Sequence, residues 1–239
     1  MMQIDLKKVN KTFDKKPIIK NISMQINAGE MVCLLGPSGS GKTTLIRLIL
    51  GAINADDGQI TIKGIKVPNL SLLPKIGYMP QNDALYQDLT GSENLAFYAG
   101  LYQMDKKVYQ KEAEVVLKVV DLLADKDKLV SKYSGGMKKR LSLAIAILHN
   151  PDILLLDEPT VGIDPVLRKN IWTHFKTLQK AGKTLVISTH VMDEISLCDK
   201  AALIYDGKLI AYDEIANLRR QTNTNIEELF FTAAKVGEV

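Results

Sequence analysis

Met31-Val32-Cys33-Leu34-Leu35, followed at once by Gly36-Pro37-Ser38-Gly39-Ser40-Gly41-Lys42-Thr43-Thr44, decides the fold. The first segment is an unbroken apolar run of the kind a strand buried on both faces takes. The second fits G-x-x-x-x-G-K-[ST], the glycine loop that joins such a strand to a helix. Its glycines let the backbone curl so that successive N–H groups turn inward. The helix that follows, apolar at Leu45, Ile46, Leu48 and Ile49, adds the positive end of its dipole. Lys42 supplies a charge for the β- and γ-phosphates and Thr43 a hydroxyl for Mg²⁺. The stretch predicts a polyphosphate cradle, with ATP and Mg²⁺ as the cofactors.

Composition bounds what surrounds this cradle. The chain has 239 residues, 46% of them hydrophobic and 24% charged, enough for one good core and a subordinate lobe. Apolar runs such as Ile153 to Leu156 fall far short of the roughly 18 residues a membrane helix needs. The start, Met1-Met2-Gln3-Ile4-Asp5, lacks a signal-peptide core, so a cytosolic chain is expected. Cys33 and Cys198 sit in apolar segments without metal-ligand spacing and are expected as reduced, buried thiols. A net charge of +4 is too mild for a nucleic-acid footprint, and no nucleic-acid partner is expected.

Working outward, the first thirty residues alternate as strands do, with Ile22, Met24 and Ile26 on one face, and break at Asp14-Lys15-Lys16-Pro17. Strand signals return at Ile60 to Ile62, Ile76 to Met79, Ile153 to Leu156, Thr184 to Ser188 and Ala201 to Tyr205. Asp206-Gly207 then predicts a hairpin into Lys208 to Ala211. Between residues 83 and 150 the period is helical instead, through Val116, Leu117, Val120 and Leu123, then Leu141, Leu143, Ala144, Ile147 and Leu148. The expected fold is α/β: a P-loop NTPase (RecA-like) core with an N-terminal antiparallel β-subdomain and an inserted helical subdomain. A single domain covers 1–239, with 1–82 and 151–239 forming the core and 83–150 the helical part. From Glu214 onward a helix, a polar link at Thr222 to Asn225 and an apolar Leu229-Phe230-Phe231 follow.

Two further motifs carry chemistry. Ile153 to Leu156 ends in Asp157-Glu158, as a buried parallel strand does when it delivers carboxylates to a site at its C-terminal end. Asp157 is expected to hold Mg²⁺ and Glu158 to polarise the water that attacks the γ-phosphate. Ser134-Gly135-Gly136 lies 23 residues ahead of Asp157. A phosphate-binding chain has no evident need of it by itself, so it points to a partner.

Together these motifs, in this order, resemble the nucleotide-binding subunit of an ATP-binding cassette (ABC) transporter over essentially the whole chain. The resemblance implies that Ser134, Gly135, Gly136 and Met137 close over ATP held by the P-loop of a second subunit. It implies that Phe13 stacks on adenine and that Gln81 touches Mg²⁺ and the attacking water. By the same likeness His190 reaches the γ-phosphate, and Asp164 carries signals between the two sites. ATP itself is bound by Phe13 and by Gly36, Pro37, Ser38, Gly39, Ser40, Gly41, Lys42, Thr43 and Thr44. The catalytic set is Glu158, His190, Gln81 and Lys42, and the metal set is Thr43, Gln81 and Asp157. The signature departs from the common family form at Tyr133 and Met137, and Lys138-Lys139-Arg140 follows it, with at least one of these cations expected to face the partner's nucleotide.

That continuation, with Asp83 to Tyr86, Asp88 to Thr90 and Glu93 to Leu95, is similar to ATPases of ABC-2 type exporters. The implied partners are a second ABC ATPase subunit, identical or a sibling, and an integral membrane permease on whose cytoplasmic face this chain sits. The permease would dock near Gln81 and Asn82 to Asn94, against Leu85, Tyr86 and Leu89. The alternative is a soluble ABC ATPase acting on ribosomes or DNA, against which stand the single P-loop, the single signature and the lack of sustained heptads.

Overall fold

The structure is a computed structural model and describes residues 2–221. In chain order it forms β1 (Met2–Phe13), β2 (Lys16–Asn27), β3 (Met31–Leu35), α1 (Lys42–Leu50), β4 (Asp57–Ile62), β5 (Ile65–Lys66) and β6 (Ile76–Met79). Three helices follow, α2 (Gly91–Leu101), α3 (Lys106–Val119) and α4 (Gly135–Leu148). The chain then continues through β7 (Ile153–Asp157), α5 (Pro165–Lys180), β8 (Thr184–Thr189), α6 (Met192–Ile195), β9 (Lys200–Tyr205), β10 (Lys208–Glu214) and α7 (Ile215–Gln221). The Leu229-Phe230-Phe231 segment lies outside the described residues.

Two sheets result. β2-β1-β4-β5 is antiparallel; β10-β9-β3-β8-β7-β6 is parallel except at its β10 edge. The alternation of each central strand divides two cores between the faces of the larger sheet. Val32, Leu34, Leu155 and Val186 pack with α1 and the antiparallel sheet, through Leu45, Ile46, Ile4 and Ile22. Met31, Cys33, Leu154, Leu156 and Ile187 face the other way, into a cluster with Leu117, Leu143, Ile171 and Phe175. Both cysteines are free and buried, as expected.

The break in the first hairpin is shorter than the sequence suggested. Only Asp14 and Lys15 turn, both at positive φ, and β2 already begins at Lys16 with Pro17 opposite Thr12. Pro17 is tolerated because β2 is a sheet edge. The Asp206-Gly207 turn has positive φ at both positions, 46° and 75°, and joins β9 to β10 as predicted. In the helical part, α3 stops at Val119. Val120 closes it and Leu123 falls in the turn beyond, although both still pack into the same core.

His149 follows α4 and stacks on Tyr102, ring centroids 3.6 Å apart at 12°. Burial pushes this imidazole from 6.5 down to about 4, with the Lys183 charge acting the same way. A depressed folded-state pKa means that the folded chain binds fewer protons than the unfolded one at mildly acid pH. The stabilisation is thus complete above about 6.5 and is lost as pH falls toward about 4. Melting temperatures measured from about pH 7 to about pH 4 should fall more steeply for the wild type than for His149→Phe, which keeps the stacked ring and cannot be charged.

Candidate nucleotide site

Parallel pairing gathers the functional residues. In the larger sheet Leu35 lies opposite Thr189, Ser188 opposite Asp157, and Leu156 opposite Met79. The C-terminal ends of β3, β8, β7 and β6 are therefore level, and each continues into one motif: the glycine loop, His190, Glu158 and Gln81. This is where ligands bind in open parallel sheets. A cleft of about 380 Å³ opens there, lined by Phe13, Ser38, Gly39, Gly41, Thr43 and Thr44, and also by Lys16, Ile18, Lys42, Gln81 and Glu158.

The glycines of the loop are required by the chain's own geometry. A Cβ at Gly36 would stand 2.1 Å from the Ile204 carbonyl oxygen and 2.7 Å from Ser40 Oγ. Gly41, which precedes α1, has φ 107° and room for no side chain against Ile19. Pro37, Ser38 and Gly39 form the exposed rim, and Ser40 is buried. The Lys42 ammonium folds back to donate to the carbonyls of Gly36 at 2.7 Å and Pro37 at 3.0 Å. Burial pushes its pKa down, and the charges of Glu158 and Asp157 offset part of that. Phe13 is 44% exposed at the mouth of the cleft, with the Lys11 ammonium 5.2 Å from its ring centre, leaving an open π face.

The carboxylates are held differently. Asp157 is buried, its Oδ1 accepts a short hydrogen bond from the Ser188 hydroxyl, and its Oδ2 has no partner. An unpartnered buried carboxylate oxygen is costly and suits a cation. Thr43 and Gln81 bring two more oxygen-bearing side chains to the cleft, so the donor set fits Mg²⁺. Glu158 takes a left-handed backbone, φ 52°, a conformation that costs a non-glycine residue about 1–3 kcal/mol. Ser188 enforces it: the Glu158 N–H is shared between the Ser188 carbonyl at 3.2 Å and its hydroxyl at 3.0 Å. The turn aims Glu158 away from Asp157, with Oε1 3.1 Å from His190 Nδ1 and Oε2 accepting from Gln81 Nε2 at 3.4 Å. His190 is 52% exposed on its side chain and reaches the cleft through Glu158 rather than lining it.

Five expected residues stand apart from this cluster: none of Ser134 to Met137 lines the cleft, nor does Asp164. Ser134 caps α4, accepting from the Met137 N–H at 3.2 Å. A Cβ at Gly135 would meet nothing within 4 Å, so packing within this chain does not require glycine there. Asp164 caps α5 through the Leu167 N–H at 3.0 Å. Of the basic run, Arg140 is engaged within this chain. Its Nη1 donates to the carbonyls of Val120 and Asp121 at 2.9 and 2.6 Å, so it caps the C-terminal end of α3.

The proposed docking stretch is only partly exposed. Tyr86 is 46% exposed, whereas Leu85 packs on the core and Leu89 is half-buried. Phe97, which sequence reading missed, stands edge-on to Tyr86 with ring centroids 4.5 Å apart. Asn94, fully buried, fixes the loop by exchanging two hydrogen bonds with the Tyr86 backbone. Ser188 was also missed. Its only signal was a hydroxyl residue within the otherwise apolar run Leu185-Val186-Ile187.

A glycine loop at the end of a parallel strand, flanked by a strand-end carboxylate pair, defines a P-loop nucleotide-binding fold. The sequence profile described as ABC transporter matches residues 19–161, and the chain belongs to that family. It is 38% identical to the Nod factor export ATP-binding protein I of Neorhizobium galegae over 88% of this chain and 61% of that one. It is 39% identical to the linearmycin resistance ATP-binding protein LnrL of Bacillus subtilis over 85% of this chain and 66% of that one. Among solved structures, a dimeric ATP-binding cassette in a post-hydrolysis state with ADP and Pi superposes with a TM-score of 0.83. That cassette is 29% identical, over 89% of this chain and 98% of the other. The chain spans about a third to two thirds of the length of the curated relatives it matches. No helix among the described residues is long and apolar enough to cross a membrane.

Proposed function

We propose that this chain is the ATP-binding and ATP-hydrolysing subunit of an ABC exporter, working with a second cassette and driving a separate membrane permease from the cytoplasmic face. The observation that carries the reading is the division of motifs. P-loop residues, Glu158 and Gln81 line one cleft, with His190 in contact with Glu158, while Ser134 to Met137 line no part of it and a Cβ at Gly135 would be unobstructed. A composite site between two cassettes accounts for that division, and the dimeric relative lends it support. The export assignment draws on the names of the two relatives, one an export protein and one a resistance protein.

In this reading Phe13 stacks on the base and the inward N–H groups of the loop hold the phosphates. Lys42 turns from the Gly36 and Pro37 carbonyls to the β- and γ-phosphates. Thr43, Asp157 and Gln81 would hold Mg²⁺, which neutralises phosphate charge when bound. Glu158 accepts a proton from the attacking water at a carboxylate oxygen, and His190, in contact with the other side of that carboxylate, reaches the γ-phosphate. Ser134, Gly135, Gly136 and Met137 of the second cassette close the site with a helix N-terminus. Asp164 links the two sites. Tyr86 and Phe97 form the apolar face that meets the permease.

The purified chain should hydrolyse ATP in a Mg²⁺-dependent manner and, when isolated from membranes, should carry a hydrophobic partner with it. Absence of hydrolysis would overturn the enzymatic assignment. Recovery with ribosomal RNA or DNA in place of a membrane protein would favour the soluble class of ABC ATPase.

A further inference from the structure

One buried carboxylate takes no part in the cluster described above. Glu194, in α6, is 3% exposed. Its Oε1 accepts the Thr160 hydroxyl at 2.6 Å and its Oε2 accepts the Thr189 hydroxyl at 2.6 Å. Both threonines are buried, at 2% and 1%. Thr160 lies just beyond Glu158 on the loop toward Asp164, and Thr189 immediately precedes His190. Each also accepts a backbone N–H: Thr189 Oγ1 from Val191 at 3.0 Å, and the Thr160 carbonyl from Ile163 at 3.2 Å.

A carboxylate suits this position because it offers only acceptors. Both hydroxyl protons must point at it, which leaves the Thr189 lone pairs for Val191 and fixes the network in one arrangement. Bonds to a charged acceptor are short and strong, as these are. The exit of β7, with Glu158, and the exit of β8, with His190, are therefore tied together below the cleft. The contact they make above it, Glu158 Oε1 to His190 Nδ1 at 3.1 Å, is the pair the chemistry needs.

We infer that Glu194 is a positioning residue, a buried tie that holds Glu158 and His190 at their working separation through Thr160 and Thr189. The inference rests on the ATPase reading for its kinetic consequence, and on the geometry alone for its structural one. Thr160→Val and Thr189→Val remove the hydroxyls at nearly constant shape, whereas Thr160→Ser and Thr189→Ser keep them.

The valine variants should lose about 10–10²-fold in kcat, since a misplacement of about 1 Å can cost about 10²-fold. Their KM for ATP should stay within about twofold, and the serine variants should turn over like the wild type. Hydrogen exchange supplies the second readout: Thr160→Val should speed exchange at the amides of residues 189–195, on the far side of the carboxylate. Valine and serine variants with equal kcat would overturn the tie, as would a KM that rises in step with the fall in kcat. A wild type without turnover would count against the ATPase reading alone. Exchange would then decide, and unchanged protection of residues 189–195 in Thr160→Val would overturn the inference.

Discussion

Glu158→Gln is expected to bind ATP as the wild type does and to lose about 10²–10⁴-fold in turnover, the range that proton transfer by a positioned base contributes. The amide keeps the size of the side chain and can still receive the Gln81 contact on its oxygen, but it cannot take a proton from water. Phosphoryl transfer is mostly positioning and charge neutralisation. Lys42, the inward N–H groups and the metal ligands are untouched by the change, so binding survives. Cassettes that bind without hydrolysing should accumulate as a closed pair. Equilibrium ATP binding, steady-state phosphate release and gel filtration with Mg²⁺-ATP check the three parts. Wild-type turnover in this variant would remove Glu158 from its role and leave His190 as the candidate orienter of water.

The second large effect concerns Ser134 to Met137, which do not line the nucleotide cleft of their own chain. Gly135→Asp should fold normally, because a Cβ at that position meets nothing within 4 Å, its φ is not positive, and an acid in the first turn of a helix is favourable. It should also bind ATP on its own intact loop. Turnover should be abolished, since a carboxylate would face the phosphates of the opposite site where a helix N-terminus is needed. Lys42→Ala should be equally inactive for the opposite reason, losing phosphate binding. Mixing the two inactive proteins should restore activity. In a mixed pair, one site combines the intact loop of the Gly135→Asp chain with the intact signature of the Lys42→Ala chain. Retained turnover in Gly135→Asp alone would refute the in-trans role. A mixture that stays inactive would mean that the chain pairs with a sibling rather than with itself.

The parts of the site legible in the sequence are those whose chemistry is local. Gly36 to Thr44 is one loop, and its glycines, lysine and threonine act on one ligand within a few residues. Asp157-Glu158 was legible because the acidic end of an apolar strand follows a P-loop, whereas a strand-end pair alone reads more readily as a cap; Gln81 and His190 carry no such local signal and entered only through the family resemblance. What the sequence hid is what the sheet brings together. Ser188 meets Asp157 and Glu158 only because β7 and β8 are neighbours in register. Glu194 meets Thr160 across 34 positions of chain. Arg140 looked like part of a basic face because its partners are backbone carbonyls at the end of another helix, and these carry no residue signature. Tyr86 and Leu85 are adjacent in sequence and fall on opposite sides of the surface, a choice made by the buried Asn94.

The level ends of β3, β8, β7 and β6 act as a ruler. Neighbouring strands are about 4.8 Å apart, so the loop, His190, Glu158 and Gln81 are set at intervals along a line of roughly 14 Å. The graduations belong to backbone hydrogen bonding, which any residue supplies, and not to the side chains packed above and below. That is why a cassette sharing 29% of its residues with this one can keep a TM-score of 0.83. Side chains on either face can change, within what the two cores will pack, and leave each motif standing at its mark.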